Sequence, residues 1–189
     1  RQLVGSQVTI YGVMEGYLNR AVSMVMQQMS GLQTDYYRDF NCDPIDVNTN
    51  GRWTAMYGTG GLIDLNTTQE VAEEQEKYVL LAISQMWEAL LFSTAADLWG
   101  AIPYSQAANP EYAQPKFDSQ QDVHMAVLDL IDDAIENFQE GQTFALPVEY
   151  DFTFSADIDR WIAAARTLKS RIYLNWAEVN SDYYQLALL

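Results

Sequence analysis

One histidine, His124, and one cysteine, Cys42, bound the nucleophilic and metal chemistry open to this chain of 189 residues. A Ser-His-Asp or Cys-His arrangement would have to use His124. That residue stands beside the apolar stripe of its helix, with no Cys, Ser or second His in a recognisable relation, and reads as a surface or boundary histidine. A single cysteine closes no disulfide within the chain, and the Cys/His spacings of zinc sites do not occur. Cys42 precedes Asp43-Pro44, and nothing adjacent to it would activate a thiol. Glycoside hydrolysis needs two carboxylates about 5 to 9 Å apart. The candidate pairs, Asp132 with Glu136 and Asp157 near Asp159, fall on outward helical positions and read as solvated faces. No residue is therefore assigned a catalytic role, and the chain is not expected to be an enzyme.

Binding chemistry is better represented. Tyr36, Tyr37, Arg38 and Asp39 lie in a polar, aromatic stretch, and Arg52 and Trp53 follow at the next helix start. Rings with nearby Arg and Asp supply both stacking faces and hydrogen bonds, so Tyr36, Tyr37, Asp39, Arg52 and Trp53 are the candidate ligand residues. The competing reading has Tyr36 and Tyr37 capping the edge of the core and Trp53 buried in it. Asp46, Asn48, Asn50 and Gly51 match the opening of a calcium loop, D-x-N-x-N-G. The bidentate acid needed at the twelfth position is instead Tyr57. Asn and Gly also make ordinary turns. Calcium at Asp46, Asn48 and Asn50 thus stands only as a candidate; no other cofactor is expected. A third stretch, AADLWGAIPYSQAA from Ala95 to Ala108, is aromatic and almost uncharged. It reads either as a ligand platform or as a helix stop, and Gly100 followed by Pro103 beyond an apolar helix favours the stop.

Helical spacing predicts the elements that hold these residues. Apolar positions three and four apart run from Leu3 to Met29, in one helix or in two broken near Gly12 or Gly16, with Gly31 as the stop. Thr34 to Gly51 reads as a long loop. Thr67 with Glu70 suggests a capping box opening a helix that runs to about Leu98, apolar almost all round from Val79. Ser119 and Asp122 open an amphipathic helix through Val123, Val127, Ile131 and Phe138. Tyr150, Phe152 and Phe154 alternate with polar residues as in a short strand or extended turn, and Asp157 starts the last long helix, through Trp161, Leu168 and Ile172. No strand pattern suffices for a sheet. The fold class is all-α, helix pairs joined by long loops in an irregular helical-repeat framework. At this length it is expected to form one domain, residues 1–189.

Composition narrows the partners. There are 26 acidic and 10 basic residues, a net charge of −16, without a Lys/Arg cluster. Nucleic acid needs a basic patch and is not expected as a partner. Glu88 and Asp97 interrupt the longest apolar run, so no membrane span is expected. The N-terminal RQLVGSQVTI lacks the regions of a signal peptide, and the final DYYQLALL stops inside what reads as a new helix. The chain is thus expected to be part of a longer protein.

Three motifs then fall into order. They are MQQMSG (Met26 to Gly31) with W-x-x-x-Y (Trp53 to Tyr57); D-L-W-G-x-I-P-Y-S-x-A (Asp97 to Ala107) with PKFDSQQDV (Pro115 to Val123); and W-x-x-A-A-x-T-L-K-S-R-x-Y-L-N (Trp161 to Asn175). This order resembles the N-terminal part of the SusD/RagB family of outer-membrane, glycan-binding lipoproteins, nearest its SusD-like 2 branch. The resemblance implies a tetratricopeptide-like framework and non-catalytic capture of oligosaccharide, or sometimes peptide, at the cell surface. It further implies a SusC-like TonB-dependent transporter as partner and a lipid anchor upstream of this chain, which Cys42 does not match. The alternative is a helical-repeat interaction scaffold without glycan binding of its own.

Overall fold

A computed structural model describes residues 1–32, 36–37, 40–41, 46–58, 60–141 and 146–188, without the side chains of 17, 46–50 and 52. Among them regular structure is helical; Ile102 and Asp118 form an isolated antiparallel bridge. Helix α1 (Gln2–Tyr11) passes through a π-helical stretch, Gly12–Leu18, into α2 (Asn19–Val25). Then follow α3 (Asp46–Tyr57), α4 (Leu62–Glu74), α5 (Tyr78–Trp99), α6 (Gln120–Glu140), a 3₁₀ turn at Val148–Tyr150, α7 (Ile158–Ala177) and the short α8 (Tyr183–Leu186). The framework is all-α, as the spacing predicts.

Several local expectations are corrected. Of the two readings left open, one helix or two broken near Gly12 or Gly16, the chain takes the continuous one, widened at a π-helical stretch that holds both glycines. The stop comes before Gly31, where Gln27 takes φ +57°. Gly31 serves a different need, since a Cβ there would lie 2.0 Å from the Tyr36 carbonyl oxygen. The long loop to Gly51 is shorter than expected because α3 already begins at Asp46.

The single helix from Thr67 to Leu98 is two helices, and Thr67 caps neither. Its hydroxyl donates to Ile63 O one turn back, inside α4. The chain leaves α4 through a Schellman turn: Glu76 takes φ +53°, its N–H donates to Glu73 O, and Lys77 N–H donates to Ala72 O. Such a turn is usually marked by glycine, and a glutamate in the left-handed position left no sign in the sequence.

α5 is the centre of the molecule. By length and apolarity it could cross a bilayer, contrary to expectation, but 83% of its apolar window is buried inside the fold. Its only charged group before Asp97, Glu88, is itself buried. Gln85 meets Asn137 while Ser93 and Asp97 meet His124, so α6 runs antiparallel to α5. Asp132 meets Lys169 and His124 meets Trp176, so α7 reverses direction again. Phe92, Ile131, Phe138 and Ile172 are fully buried where these helices meet. Each such side chain contributes about 1.5–3 kcal/mol.

Caps read from the sequence are present at α6 and α7. Ser119 Oγ accepts from Asp122 N at 3.1 Å, and Asp157 Oδ1 accepts from Arg160 N at 3.1 Å. Tyr150 closes a 3₁₀ turn rather than a strand. Beyond it Asp151, fully buried, gathers Thr153 N, Ala156 N and the Trp161 indole N–H at 3.0, 2.8 and 2.7 Å. Gln7 of α1 ties into the same segment through Tyr150 O at 2.9 Å.

Candidate functional site

An aromatic groove lies where α3 meets the segment after α5. Trp53 and Tyr57 stand one turn apart on α3 with ring centroids 5.1 Å apart. Trp53 meets Trp99 edge-on at 5.5 Å, Tyr57 meets Phe92 edge-on at 5.4 Å, and Phe92 meets Tyr104 at 5.1 Å. These rings form a continuous row from the end of α5 back along its buried face. Over the row opens a groove of about 410 Å³ lined by Trp53, Tyr57, Ile63, Pro103, Ala107 and Pro115, with Ala108 at its lip.

The outer wall is set by Gly100 and Asp118. Gly100 ends α5 with φ +73°, a conformation that costs an L side chain steric strain. The chain then pairs Ile102 with Asp118 through two backbone hydrogen bonds of 3.1 and 2.9 Å. Asp118 Oδ2 accepts from the backbone N–H groups of Tyr104 and Ser105 at 3.1 and 2.7 Å; Oδ1 accepts from the Ser105 hydroxyl and lies 3.0 Å from Lys116 Nζ. Burial pushes this carboxyl up, but the bonds from Ser105, Lys116 and Tyr104 together outweigh it and hold it below its ordinary value.

Beneath the groove the polar groups are committed. Tyr57 donates its hydroxyl to Pro103 O at 2.8 Å. Burial first, then the Asp118 carboxylate, pushes its phenol well above the usual range. Glu88 accepts from Gln69 Nε2 at 2.7 Å and from the Tyr104 hydroxyl at 2.9 Å. Burial raises its carboxyl despite both bonds, and burial and Glu88 raise the Tyr104 phenol. The described lining of the groove is thus largely apolar and aromatic, and among those residues the one titratable group is a tyrosine kept neutral. It can stack a ligand.

Of the predicted ligand residues, Trp53 lines this groove, half-buried rather than enclosed. Tyr36 is engaged elsewhere, accepting from Arg20 Nη1 at 2.7 Å with the guanidinium 5.3 Å from its ring centroid. Tyr37 is exposed. Neither tyrosine is among the groove's described lining residues. Asp39 and the Arg52 side chain lie outside the described residues. So do the side chains of Asp46, Asn48 and Asn50, whose backbone is helical rather than a turn. Tyr57, Pro103 and Pro115 were not assigned to a site from sequence; for Tyr57 the four-residue spacing from Trp53 was the available sign. The Ala95–Ala108 stretch proves to be a helix stop that also supplies groove wall, with Ile102 fully buried.

His124 is fully buried, a correction to its surface reading. Its Nδ1 accepts from the Trp176 indole N–H at 2.9 Å, which leaves Nε2 as donor toward Ser93 O at 3.3 Å. Every ring nitrogen therefore has a structural partner. Of the acid pairs, Asp132 is tied to Lys169, and Asp157 and Asp159 are exposed at the start of α7. No group of His, Cys, Asp and Glu suited to a metal ion occurs among the described residues.

These features define an all-α helical-repeat protein with an aromatic surface groove. The chain belongs to the SusD-like_2 family, described as "Starch-binding associating with outer membrane", whose sequence profile matches residues 6–187. Solved structures agree in fold. A SusD/RagB family protein of Bacteroides thetaiotaomicron superposes with a TM-score of 0.85 at 22% identity, over 100% of this chain and 41% of that one. A SusD homolog of Bacteroides uniformis gives 0.75 at 22% identity, over 99% and 41%. A chitin-binding SusD homolog of Flavobacterium johnsoniae gives 0.71 at 16% identity, over 99% and 41%. The chain thus spans about two fifths of these structures' length. Among curated proteins there is no match.

Proposed function

We propose that this chain is the N-terminal helical part of a cell-surface protein that captures oligosaccharide, does no chemistry on it, and hands it to a SusC-like TonB-dependent transporter. A lipid anchor outside the chain would hold the whole protein to the outer membrane. Family membership supports surface association, the family is described as starch-binding, and the Flavobacterium johnsoniae homolog of the same fold binds chitin. The observation that carries the binding reading within this chain is the aromatic groove. Trp53 and Tyr57 are half-buried in its lining, and no charged side chain is among its described lining residues. Pyranose rings stack their apolar faces on such surfaces while hydroxyls seek polar neighbours. Arg52 and Asp39 are proposed as those neighbours; the exposed Tyr37 is proposed as a further ring, and Tyr36 would have to leave Arg20 to join it.

The test is calorimetric titration of the full-length protein with maltohexaose and chitohexaose, before and after Trp53→Ala. Loss of one stacking face is expected to weaken binding about tenfold, or about 1.4 kcal/mol, with the helical circular dichroism retained. Unchanged affinity in a protein that binds would remove the groove from the reading. Transporter association without affinity for any oligosaccharide would favour the interaction scaffold. No cofactor is assigned. A helical backbone from Asp46 does not alternate oxygens as a calcium loop does, and calcium titration of the same protein is expected to give no heat of binding.

A further inference from the structure

The groove has two walls from different parts of the chain. Tyr57, the last residue of α3, lines one; Pro103, Ala107 and Pro115 line the other. The Pro103 wall is secured on its outer side by Asp118, which accepts from the Tyr104 and Ser105 N–H groups at 3.1 and 2.7 Å. Toward the core the Tyr104 hydroxyl donates to buried Glu88 at 2.9 Å, where Gln69 of α4 also donates at 2.7 Å. Neither of these ties includes a residue of α3. The Tyr57 hydroxyl supplies that connection, donating to Pro103 O at 2.8 Å across 46 positions of the chain. Its donor is well placed to hold. The ring sits against Trp53 at 5.1 Å and edge-on to Phe92 at 5.4 Å, which limits its movement. Burial, and after it the Asp118 carboxylate, keeps the phenol protonated, so the hydroxyl can donate across the neutral range.

We propose that Tyr57 is a positioning residue for ligand capture: its hydroxyl ties α3 to the Pro103 wall and so holds the groove at its binding width before a ligand arrives. The proposal rests on the reading of the groove as an oligosaccharide site and adds to it the group that keeps the site formed. A groove whose walls are already in place spends none of the ligand's interaction energy on ordering them. Without the tie the wall keeps its Asp118 and Glu88 anchors, so it remains folded but can shift against α3. Pro103 is half-buried, and water can take the place of the lost hydroxyl. The loss therefore falls on affinity more than on stability.

Tyr57→Phe in the full-length protein isolates the hydroxyl, because the stacking ring stays. Its affinity for maltohexaose or chitohexaose, whichever the wild type binds, is expected to fall about fivefold, the ratio one neutral hydrogen bond supplies, with helical circular dichroism retained. A second readout distinguishes a strut from a ligand contact. Relaxation dispersion of the Tyr104 and Ser105 amides reports wall movement on the microsecond-to-millisecond scale. It should be absent in the ligand-free wild type, present in ligand-free Tyr57→Phe, and suppressed in that variant by saturating oligosaccharide. Unchanged affinity in Tyr57→Phe would overturn the proposal and leave the groove standing as a site. So would a fall in affinity with quiet wall amides, since the hydroxyl would then be acting on the ligand itself. Dispersion at both amides in the ligand-free wild type would overturn it without recourse to any variant. A wild-type protein that binds neither oligosaccharide removes the reading of the groove, and the proposal with it.

Discussion

Asp118 and Asp151 solve the same problem in two places with different relations to solvent. Each is a buried carboxylate that folds an irregular segment by accepting backbone N–H bonds, two from Tyr104 and Ser105, two from Thr153 and Ala156. Each segment then carries a wall to a cavity, Pro103 and Ala107 to the open groove, Thr153 and Phe154 to a half-enclosed apolar hollow beside α1, α5 and α7. The third partner differs. Asp118 pairs with Lys116, whose side chain is 60% exposed, whereas Asp151 takes the buried indole N–H of Trp161. One anchor therefore remains coupled to water and salt; the other is sealed into the aromatic core. A surface that admits ligands can use the first kind of anchor, and the seat of a core tryptophan requires the second.

Breaking the sealed anchor should cost most. Asp151→Ala strands three donors, one on a core tryptophan, and is expected to lower stability by about 3–5 kcal/mol in denaturant unfolding. Asp151→Asn, which keeps the shape and one acceptor, should recover part of this. A cost below about 1 kcal/mol for the alanine variant would show that packing, not the carboxylate, organises the segment. Asp118→Asn should cost less, about 1–2 kcal/mol, and should act on the groove. Glycan affinity is expected to fall with it, and to stay unchanged in a folded Asp151→Asn protein. The pH dependence follows from the sign of the shift. Asp118 is held below its ordinary 3.8, so its contribution is complete above that value and is lost as pH falls through the lower folded-state value. Unfolding midpoints of Asp118→Asn and wild type should therefore converge in acid.

The contrast also separates what could be read along the chain from what could not. Periodicity placed α6 and α7 well because their apolar stripes face one core and Ser119 and Asp157 cap them with short-range bonds. α5 gave no such direction, being apolar on every side, and its start was misplaced because the Schellman turn uses Glu76. Of the groove, the sequence singles out Trp53 as a site residue, while Pro103 and Ala107 fall in the Ala95–Ala108 stretch, for which the helix stop is favoured over the ligand platform. Pro103 and Pro115 reach it through the Ile102–Asp118 bridge, a pairing across sixteen positions that no local spacing encodes. The burial of His124 is not legible along the chain for a related reason: its partners Ser93 and Trp176 come from the two helices flanking its own.

Glu88 offers the finest probe, because it sits below the groove yet resembles Asp151 in its burial. It differs from Asp118 in the sign of its shift. Burial raises its carboxyl above the ordinary 4.5, the bonds from Gln69 and Tyr104 notwithstanding. Below 4.5 the group is protonated folded and unfolded. As pH rises from there to the folded-state value, the unfolded chain loses its proton first, so the native state loses stability. Glu88→Gln removes that loss while its amide oxygen still accepts from Tyr104. The variant is expected to match wild type in acid and to be slightly more stable at neutral pH, the reverse of Asp118→Asn. Thermal unfolding of both variants across pH 3 to 8 checks this. A Glu88→Gln protein less stable at neutral pH than in acid, relative to wild type, would mean that the two hydrogen bonds to an ionised carboxylate outweigh its burial.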